Sequence, residues 1–201
     1  MKSILLVAFL STLVASQSIS FDYQIAKIDV MTADDIKDFT EIFKSLWNGF
    51  LRGYYKEIKS DVIDDNCLGE WIVNNLTELS VYGAKMANLE LSYEEAQTAA
   101  LDVVNIAYMN WDYCLFTKFV ADNTEYFNEI DMGSDDYLYN VFMPSLQQNM
   151  FQIGSKAMDI FSMITHIDDE QTDEEILAIV DRLGEDYGAI LSYLFGFNKE
   201  F

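Results

Sequence analysis

Apolar residues recur every three or four positions along almost the whole chain, and Pro144 is its only proline. This spacing is typical of amphipathic α-helices, whereas strands would alternate apolar and polar residues. No alternation of strands with helices of the parallel α/β type is present. We therefore predict an all-α fold. The 201 residues suffice for one domain with a substantial core, and we expect a single-domain bundle of about five helices over residues 32–201.

Capping boxes mark three helix starts, since a Ser or Thr is followed three residues later by an acid that can reach back to it. These pairs are Thr32 with Asp35, Ser92 with Glu95, and Thr172 with Glu175. With the apolar stripes, they predict helices over 32–58, 65–88, 92–120, 135–164 (bent or divided at Pro144) and 173–195, and a short helical piece at 125–130. The third helix has only a narrow polar stripe, which predicts that it is central.

Three residues inside these helices have predicted packing roles. Gly49 and Gly53 lie four apart on the first helix, which favours close contact with another helix. Asn110 lies among apolar neighbours on the third helix, where we expect a hydrogen-bonded core amide. A ligand contact by Asn110 is the alternative.

The first sixteen residues resemble a secretory signal in their general organisation. Lys2 precedes the apolar run Ile4–Ala15, which ends in the small residues Ala15 and Ser16 and is too short to anchor the chain in a bilayer. We predict a signal peptide at 1–16 and an extended N-terminal arm at 17–31. A buried N-terminal helix is the alternative. The predicted location is extracellular or the lumen of a secretory vesicle.

The two cysteines are placed symmetrically about the turn that joins the second and third helices. Cys67 and Cys114 have their midpoint near the turn at Leu89–Ser92, and antiparallel helices align residues equidistant from the turn. In an exported chain this predicts a disulfide that staples the central helical hairpin. A reactive thiol is the weaker interpretation, because an exported thiol tends to oxidise.

The formal net charge is −22, from 34 acids and 12 Lys and Arg. Such a surface repels phosphate backbones and anionic headgroups, so we predict neither nucleic-acid binding nor direct binding to anionic membranes. Divalent cations are plausible partners. No acidic cluster has EF-hand spacing, and we expect at most weak calcium binding at Asp168, Asp169, Glu170 and Asp173.

The residues for most catalytic chemistries are missing from the sequence. His166 is the only histidine, and we expect it at a helix end on the surface. Neither the Glu-x-x-His pairs of di-iron bundles nor a zinc ligand set is present. Paired carboxylates for glycoside hydrolysis stay open, because 34 acids offer many pairs. We predict a non-enzymatic protein without a cofactor.

Asn75-Leu76-Thr77 matches the acceptor motif for N-glycosylation. The helical phase argues against a glycan there, since Asn75 falls between Trp71, Ile72 and Leu79 in the apolar stripe. Asn75 stays a candidate site, and an attached glycan would mean that this face is not core.

We hypothesise a secreted, acidic structural or interaction protein that binds a protein partner or associates with itself, with acidic patches bridged by cations. The abundant aromatic residues and the missing catalytic set favour this function. An extracellular carrier of a small apolar ligand in the bundle core is the alternative, suggested by nine Met and fourteen Phe. A carboxylate hydrolase and a receptor-binding signal are further alternatives.

Overall fold

The computed structural model describes residues 32–55, 63–130, 134–167 and 171–200. This part of the chain is all-helical, without a strand, and contains six long helices, one more than predicted. The predicted all-α fold class is therefore confirmed. The predicted signal peptide at 1–16 and the predicted N-terminal arm at 17–31 lie outside the described residues. The helices are α1 (Ala33–Tyr54), α2 (Glu70–Ala87), α3 (Tyr93–Tyr113), α4 (Phe116–Glu129), α5 (a helical turn Asp135–Tyr137, a π-helical segment Leu138–Phe142 and Met143–Thr165) and α6 (Asp173–Phe195).

All three capping boxes are present. In each, the hydroxyl of the cap residue accepts a hydrogen bond from the backbone N–H three residues later, and the acid at that position accepts one from the cap backbone. The boxes begin α1, α3 and α6. They satisfy amide groups that would otherwise lack partners at a helix start, which explains why these starts were predictable from local sequence.

The centre of the structure is the contact between α1 and α6, which pack along most of their length. Four glycines form it: Gly49 and Gly53 on α1, and Gly184 and Gly188 on α6. A Cβ atom added to any of them would lie less than 3 Å from backbone atoms of the other helix. The predicted role of Gly49 and Gly53 is confirmed.

An aromatic cluster fills the space between the end of α1, α4 and the segment after α6. Its buried members are Leu51, Tyr54, Tyr55 and Phe197, and partly buried side chains such as Trp47 and Phe119 pack around them. Tyr54 stacks on Phe197 with ring centroids 4.3 Å apart. The end of α1 and the segment after α6 are therefore held together by aromatic contacts.

The first two helices differ from their predicted ranges. α1 ends at Tyr54 rather than at residue 58, because Tyr55 has extended backbone. α2 begins at Glu70 rather than at residue 65, because residues 65–68 form a turn in which Leu68 adopts a left-handed conformation. Gly69 then caps α2. Cys67 thus lies before α2 and not within it.

The third predicted helix is divided in two. α3 ends at Tyr113, and Leu115 adopts the left-handed conformation with φ of 61° before α4 begins. α4 then covers residues 125–129 of the short helical piece that was predicted at 125–130. The prediction that α3 is central was also wrong, since α3 contacts only α2 and α4 among the described elements.

Pro144 neither ends nor divides α5. The π-helical segment Leu138–Phe142 ends two residues before it. Proline lacks the N–H that would bond the carbonyl four residues earlier and crowds that carbonyl. A π-helical segment accommodates this misfit within a continuous helix, so α5 runs on to Thr165.

Candidate interaction surface

Two helices expose large apolar side chains along faces that no other described element covers. No described helix combines the length and the hydropathy that a membrane span requires. The first face, which we call the α3 stripe, consists of Leu101, Val104, Tyr108 and Trp111, exposed by 64, 62, 72 and 49%. The second, the α5 stripe, consists of Met143, Met150, Gly154, Met158 and Phe161.

The α3 stripe lies opposite the contact of α3 with α2. Its members are spaced by three, four and three residues, which places them on one side of a helix. The buried side of α3 instead carries Ile106 and Asn110. The same apolar richness that predicted a central helix therefore produces an exposed face, because no described element packs on the side of α3 opposite α2.

The α5 stripe faces away from α6. Phe161 is 71% exposed and Met158 75%, and a Cβ added to Gly154 would meet nothing within 4 Å. Gly154 is therefore a shallow depression between larger side chains. Methionine side chains are flexible and polarizable, and they suit adaptable contact surfaces.

The electrostatics of the two stripes differ. Between Met143 and Phe161, the only charged residues are Lys156 and Asp159. Lys156 donates to the buried Asp186 at 2.6 Å, and Asp159 lies 3.7 Å from Arg182. The α5 stripe itself carries no charge, which is unusual in a chain of net charge −22.

The α3 stripe is bordered by acids. Glu94 and Asp112 are exposed at its two ends, and α3 contains no basic residue. Lys85 on α2 pairs with Glu95. Glu95 also accepts hydrogen bonds at the cap of α3, and Lys85 and the cap together lower the pKa of its carboxyl to about 2, so Glu95 stays ionised over the ordinary pH range.

The disulfide Cys67–Cys114 closes the base of the α2–α3 hairpin, with the two Cα atoms 4.8 Å apart. The predicted pairing is confirmed. Asn110 is 7% exposed. It donates to the carbonyl of Ile106 at 2.9 Å and accepts from the N–H of Leu68 at 3.1 Å. It is the satisfied core amide that was predicted, and it holds the turn that carries Cys67.

Asn75 lies in the middle of α2, half-buried. Its side-chain amide donates to the carbonyl of Trp71 at 2.7 Å, and the Thr77 hydroxyl donates to that of Val73 at 2.7 Å. Both polar side chains of the acceptor motif are thus engaged with their own helix.

The predicted cation site falls mostly outside the described residues. Asp168, Asp169 and Glu170 are not described, while Asp173 lies in the first turn of α6 beside Glu174 and Glu175. No group of three or more His, Cys, Asp or Glu in the described ranges is arranged to hold a metal ion. His166 ends α5 on the surface, as predicted, with Nδ1 2.7 Å from the Ser162 carbonyl.

An apolar groove of about 430 Å³ runs between α2 and α3 near their connecting turn. Its lining residues are Leu79, Tyr82, Gly83, Met86, Leu91, Ala96, Ala99, Ala100 and Val103. Small side chains on α3 make its floor, and larger ones on α2 make its wall. The groove is a surface feature of the hairpin and does not lie in the core between α1 and α6.

Burial raises the pKa of Tyr54 and Tyr55 well above their ordinary value, and nearby acidic or phenolic groups add to the effect. Burial raises the pKa of Tyr126 to about 12. The Tyr126 hydroxyl donates to the carbonyl of Phe195 at 2.8 Å, and that of Tyr55 donates to Asp122 at 2.9 Å. The hydroxyls of Tyr55 and Tyr126 therefore stabilise the fold as neutral phenols that donate hydrogen bonds.

Sequence reasoning missed both stripes as surfaces. The sequence contains part of the pattern that would have indicated the α5 stripe, since Met143, Met150 and Phe161 share one side of the helix without a charged neighbour. Periodicity alone does not say whether an apolar face is covered, however, because an exposed face and a buried one have the same pattern.

No protein-family model, curated protein or solved structure matches the chain significantly.

Proposed function

We propose that the protein is a secreted, non-enzymatic interaction protein that associates with itself through the α5 stripe. The observation that carries the proposal is the uncharged, exposed apolar face of α5. Monomeric soluble proteins rarely expose large contiguous apolar patches. In a chain of net charge −22, a second copy is repelled least at the face that carries no charge.

The size of the stripe supports a contact between two copies. A standard interface buries about 800 Å² per partner, and a single aromatic side chain contributes about 150–250 Å². Phe161 and Phe151, which is adjacent to Met150, are exposed by 71 and 84% and add their area to that of three exposed methionines. Gly154 at the centre allows a side chain of the second copy to approach the helix backbone.

Cations fit this proposal as weak modulators. The acids that give the chain its charge lie outside the α5 stripe, and their mutual repulsion opposes the association of two copies. Calcium or salt at the acidic surface, including the region of Asp173, would lower that cost without a dedicated high-affinity site. Association is therefore expected to strengthen when calcium is added.

The test is light scattering after size exclusion on the secreted protein, over a concentration series, with millimolar calcium and with a chelator. Phe161→Glu is expected to shift the protein to a single-chain mass. Val120→Glu, at an apolar position on α4 that is 47% exposed, is the matched control and is expected to leave the mass unchanged. A single-chain mass for the unmodified protein in every condition would reject self-association.

A second function is favoured by the groove between α2 and α3, whose apolar lining fits a small hydrophobic ligand. If the protein is such a carrier, its ligand site lies on the α2–α3 hairpin rather than in the bundle core. Organic extracts of the secreted protein, studied by mass spectrometry, are expected to contain such a ligand. Ala100→Leu would fill the groove and remove the ligand, while Val120→Glu would retain it.

A further inference from the structure

The α3 stripe is a second exposed apolar face, distinct from the α5 stripe. It spans residues 101 to 111, or about 15 Å of helix. Its spacing of three, four and three residues is that of a seam between two packed helices. Leu101, Val104 and Tyr108 are each more than 60% exposed. A partner helix is the element whose shape matches a straight apolar seam of this length.

The charge around the stripe limits which helix can bind there. Residues 70–113 contain seven acids and one basic residue, Lys85. Lys85 is already paired with Glu95. Glu94 and Asp112 are both exposed near the ends of the stripe. A complementary helix therefore carries Lys or Arg beside its apolar face.

We propose that the α3 stripe binds a basic amphipathic helix of a partner protein. A second copy of this chain is disfavoured at this site, because it would place the same acids opposite Glu94 and Asp112. Nucleic acid and anionic membranes are repelled for the same reason. The proposal goes beyond self-association, since the two stripes lie on different helices and differ in their surrounding charge.

The disulfide supports this use of the hairpin. Cys67–Cys114 ties the turn before α2 to the end of α3, and Trp47 Nε1 on α1 donates to the carbonyl of Cys114 at 2.7 Å. The end of α3 that carries Trp111 is thus fixed to the core. A rigid helix loses less conformational freedom on binding than a mobile one, so α3 can present its apolar side chains in a prepared arrangement.

The experiment is a calorimetric titration of the full secreted chain with a synthetic 21-residue peptide. The peptide has Leu at heptad positions a and d and Lys at e and g. One control peptide has the same composition in scrambled order, and another has Glu in place of Lys. The heptad Lys peptide is expected to bind at least about tenfold more tightly than either control. Its affinity is also expected to fall as salt is raised.

Variants then locate the site. Tyr108→Glu is expected to weaken binding of the Lys peptide by about tenfold or more, and Val120→Glu on α4 to change it less than twofold. The double variant Glu94→Lys/Asp112→Lys is expected to weaken the Lys peptide and to improve binding of the Glu peptide. Circular dichroism of each variant checks that its helix content is unchanged.

Three results would overturn the proposal. Equal binding of the scrambled peptide would mean that charge alone attracts it. Unchanged affinity in Tyr108→Glu would place the peptide elsewhere on the surface. A single-chain mass for Tyr108→Glu, with the unmodified mass kept by Phe161→Glu, would assign the α3 stripe to contact between copies. Failure of self-association through α5 leaves the peptide result unaffected, so the two proposals are tested separately.

Discussion

Gly53 on α1 lies directly against the backbone of Glu185 on α6, so that a Cβ on Gly53 would come within 3 Å of the carbonyl carbon and oxygen of Glu185. The backbone nitrogen of Ala189 would lie 2.8 Å from the same Cβ. Backbone atoms cannot rotate away as a flexible side chain can. The two central helices can approach this closely only because residue 53 has no side chain.

Gly53→Ala is therefore expected to lower the free energy of unfolding by about 3 kcal/mol, since overpacking of a closely packed contact forces the helices apart. Urea denaturation followed by circular dichroism measures the change. Gly83→Ala on α2 is the matched control, because a Cβ there would meet nothing within 4 Å. That variant is expected to be neutral or to stabilise the protein by about 0.5–1 kcal/mol. Equal stability of the two variants would contradict the close helix contact.

Removal of the disulfide is expected to destabilise the hairpin more than the centre. The bond joins residues 47 apart in sequence, and closing a loop of that length stabilises by about 4 kcal/mol in the chain-entropy model. In Cys67→Ala/Cys114→Ala, amides of α2 and α3 are expected to lose hydrogen-exchange protection first, because α3 contacts only α2 and α4 among the described elements. Uniform loss across α1, α3 and α6 would mean that the hairpin is not an independent unit.

The starts of α1, α3 and α6 were predictable because a capping box is a local signal that needs only four residues. The cysteine pairing was predictable because the turn between α2 and α3 sets the register of an antiparallel pair. The pairing was correct although Cys67 lies in a turn before α2 and not within the helix that was predicted to begin at residue 65. The helix starts and the cysteine pairing were thus predictable because each depends on short-range geometry.

The packing faces were harder to predict. On α6, apolar spacing favours a packing role for Tyr187, which is 48% exposed, while Gly184 and Gly188 make the central contact. Counting apolar side chains gives glycine no weight, although close helix packing depends on it. The break at Leu115 was also hidden, because neither glycine nor proline marks it. The exposed stripes on α3 and α5 depend on which helix lies next to which, and periodicity does not contain that information.

The turn between α2 and α3 offers a stabilising substitution. Leu89 has φ of 59°, and the left-handed conformation costs an ordinary residue about 1–2 kcal/mol. Leu89 is 94% exposed, so its side chain contributes little packing. Leu89→Asn is expected to raise the free energy of unfolding by about 0.5–1 kcal/mol, since asparagine tolerates this conformation. The readout is the midpoint of urea denaturation.

The same substitution at Leu115 is the control for Leu89→Asn. Its φ of 61° is nearly the same, but its side chain packs against the aromatic cluster at the end of α1. Leu115→Asn therefore relieves the same backbone strain and loses apolar burial, and it is expected to destabilise the protein. Stabilisation by both variants would show that packing at Leu115 contributes little, and destabilisation by both would show that Leu89 makes contacts beyond its backbone.

The buried tyrosines predict how stability changes at alkaline pH. The pKa of each phenol is higher in the folded protein than in the unfolded chain, where it is about 10; for Tyr126 burial raises it to about 12. The unfolded chain therefore releases these protons first, and stability is fully present below about pH 10 and is lost as pH rises towards 12. Tyr54 and Tyr55 shift in the same direction, again mainly through burial, and steepen the loss.

Absorbance at 295 nm follows phenolate formation, and circular dichroism follows helix content in the same samples. Part of the ionisation of the twelve tyrosines is expected to coincide with the loss of helix, because the buried phenols ionise only when the aromatic cluster opens. Tyr126→Phe removes one of these protons, so its stability is expected to fall less steeply between pH 10 and pH 12. Complete ionisation of all tyrosines while helix content is unchanged would contradict the burial of Tyr54, Tyr55 and Tyr126, since a phenolate loses its solvation in that apolar cluster.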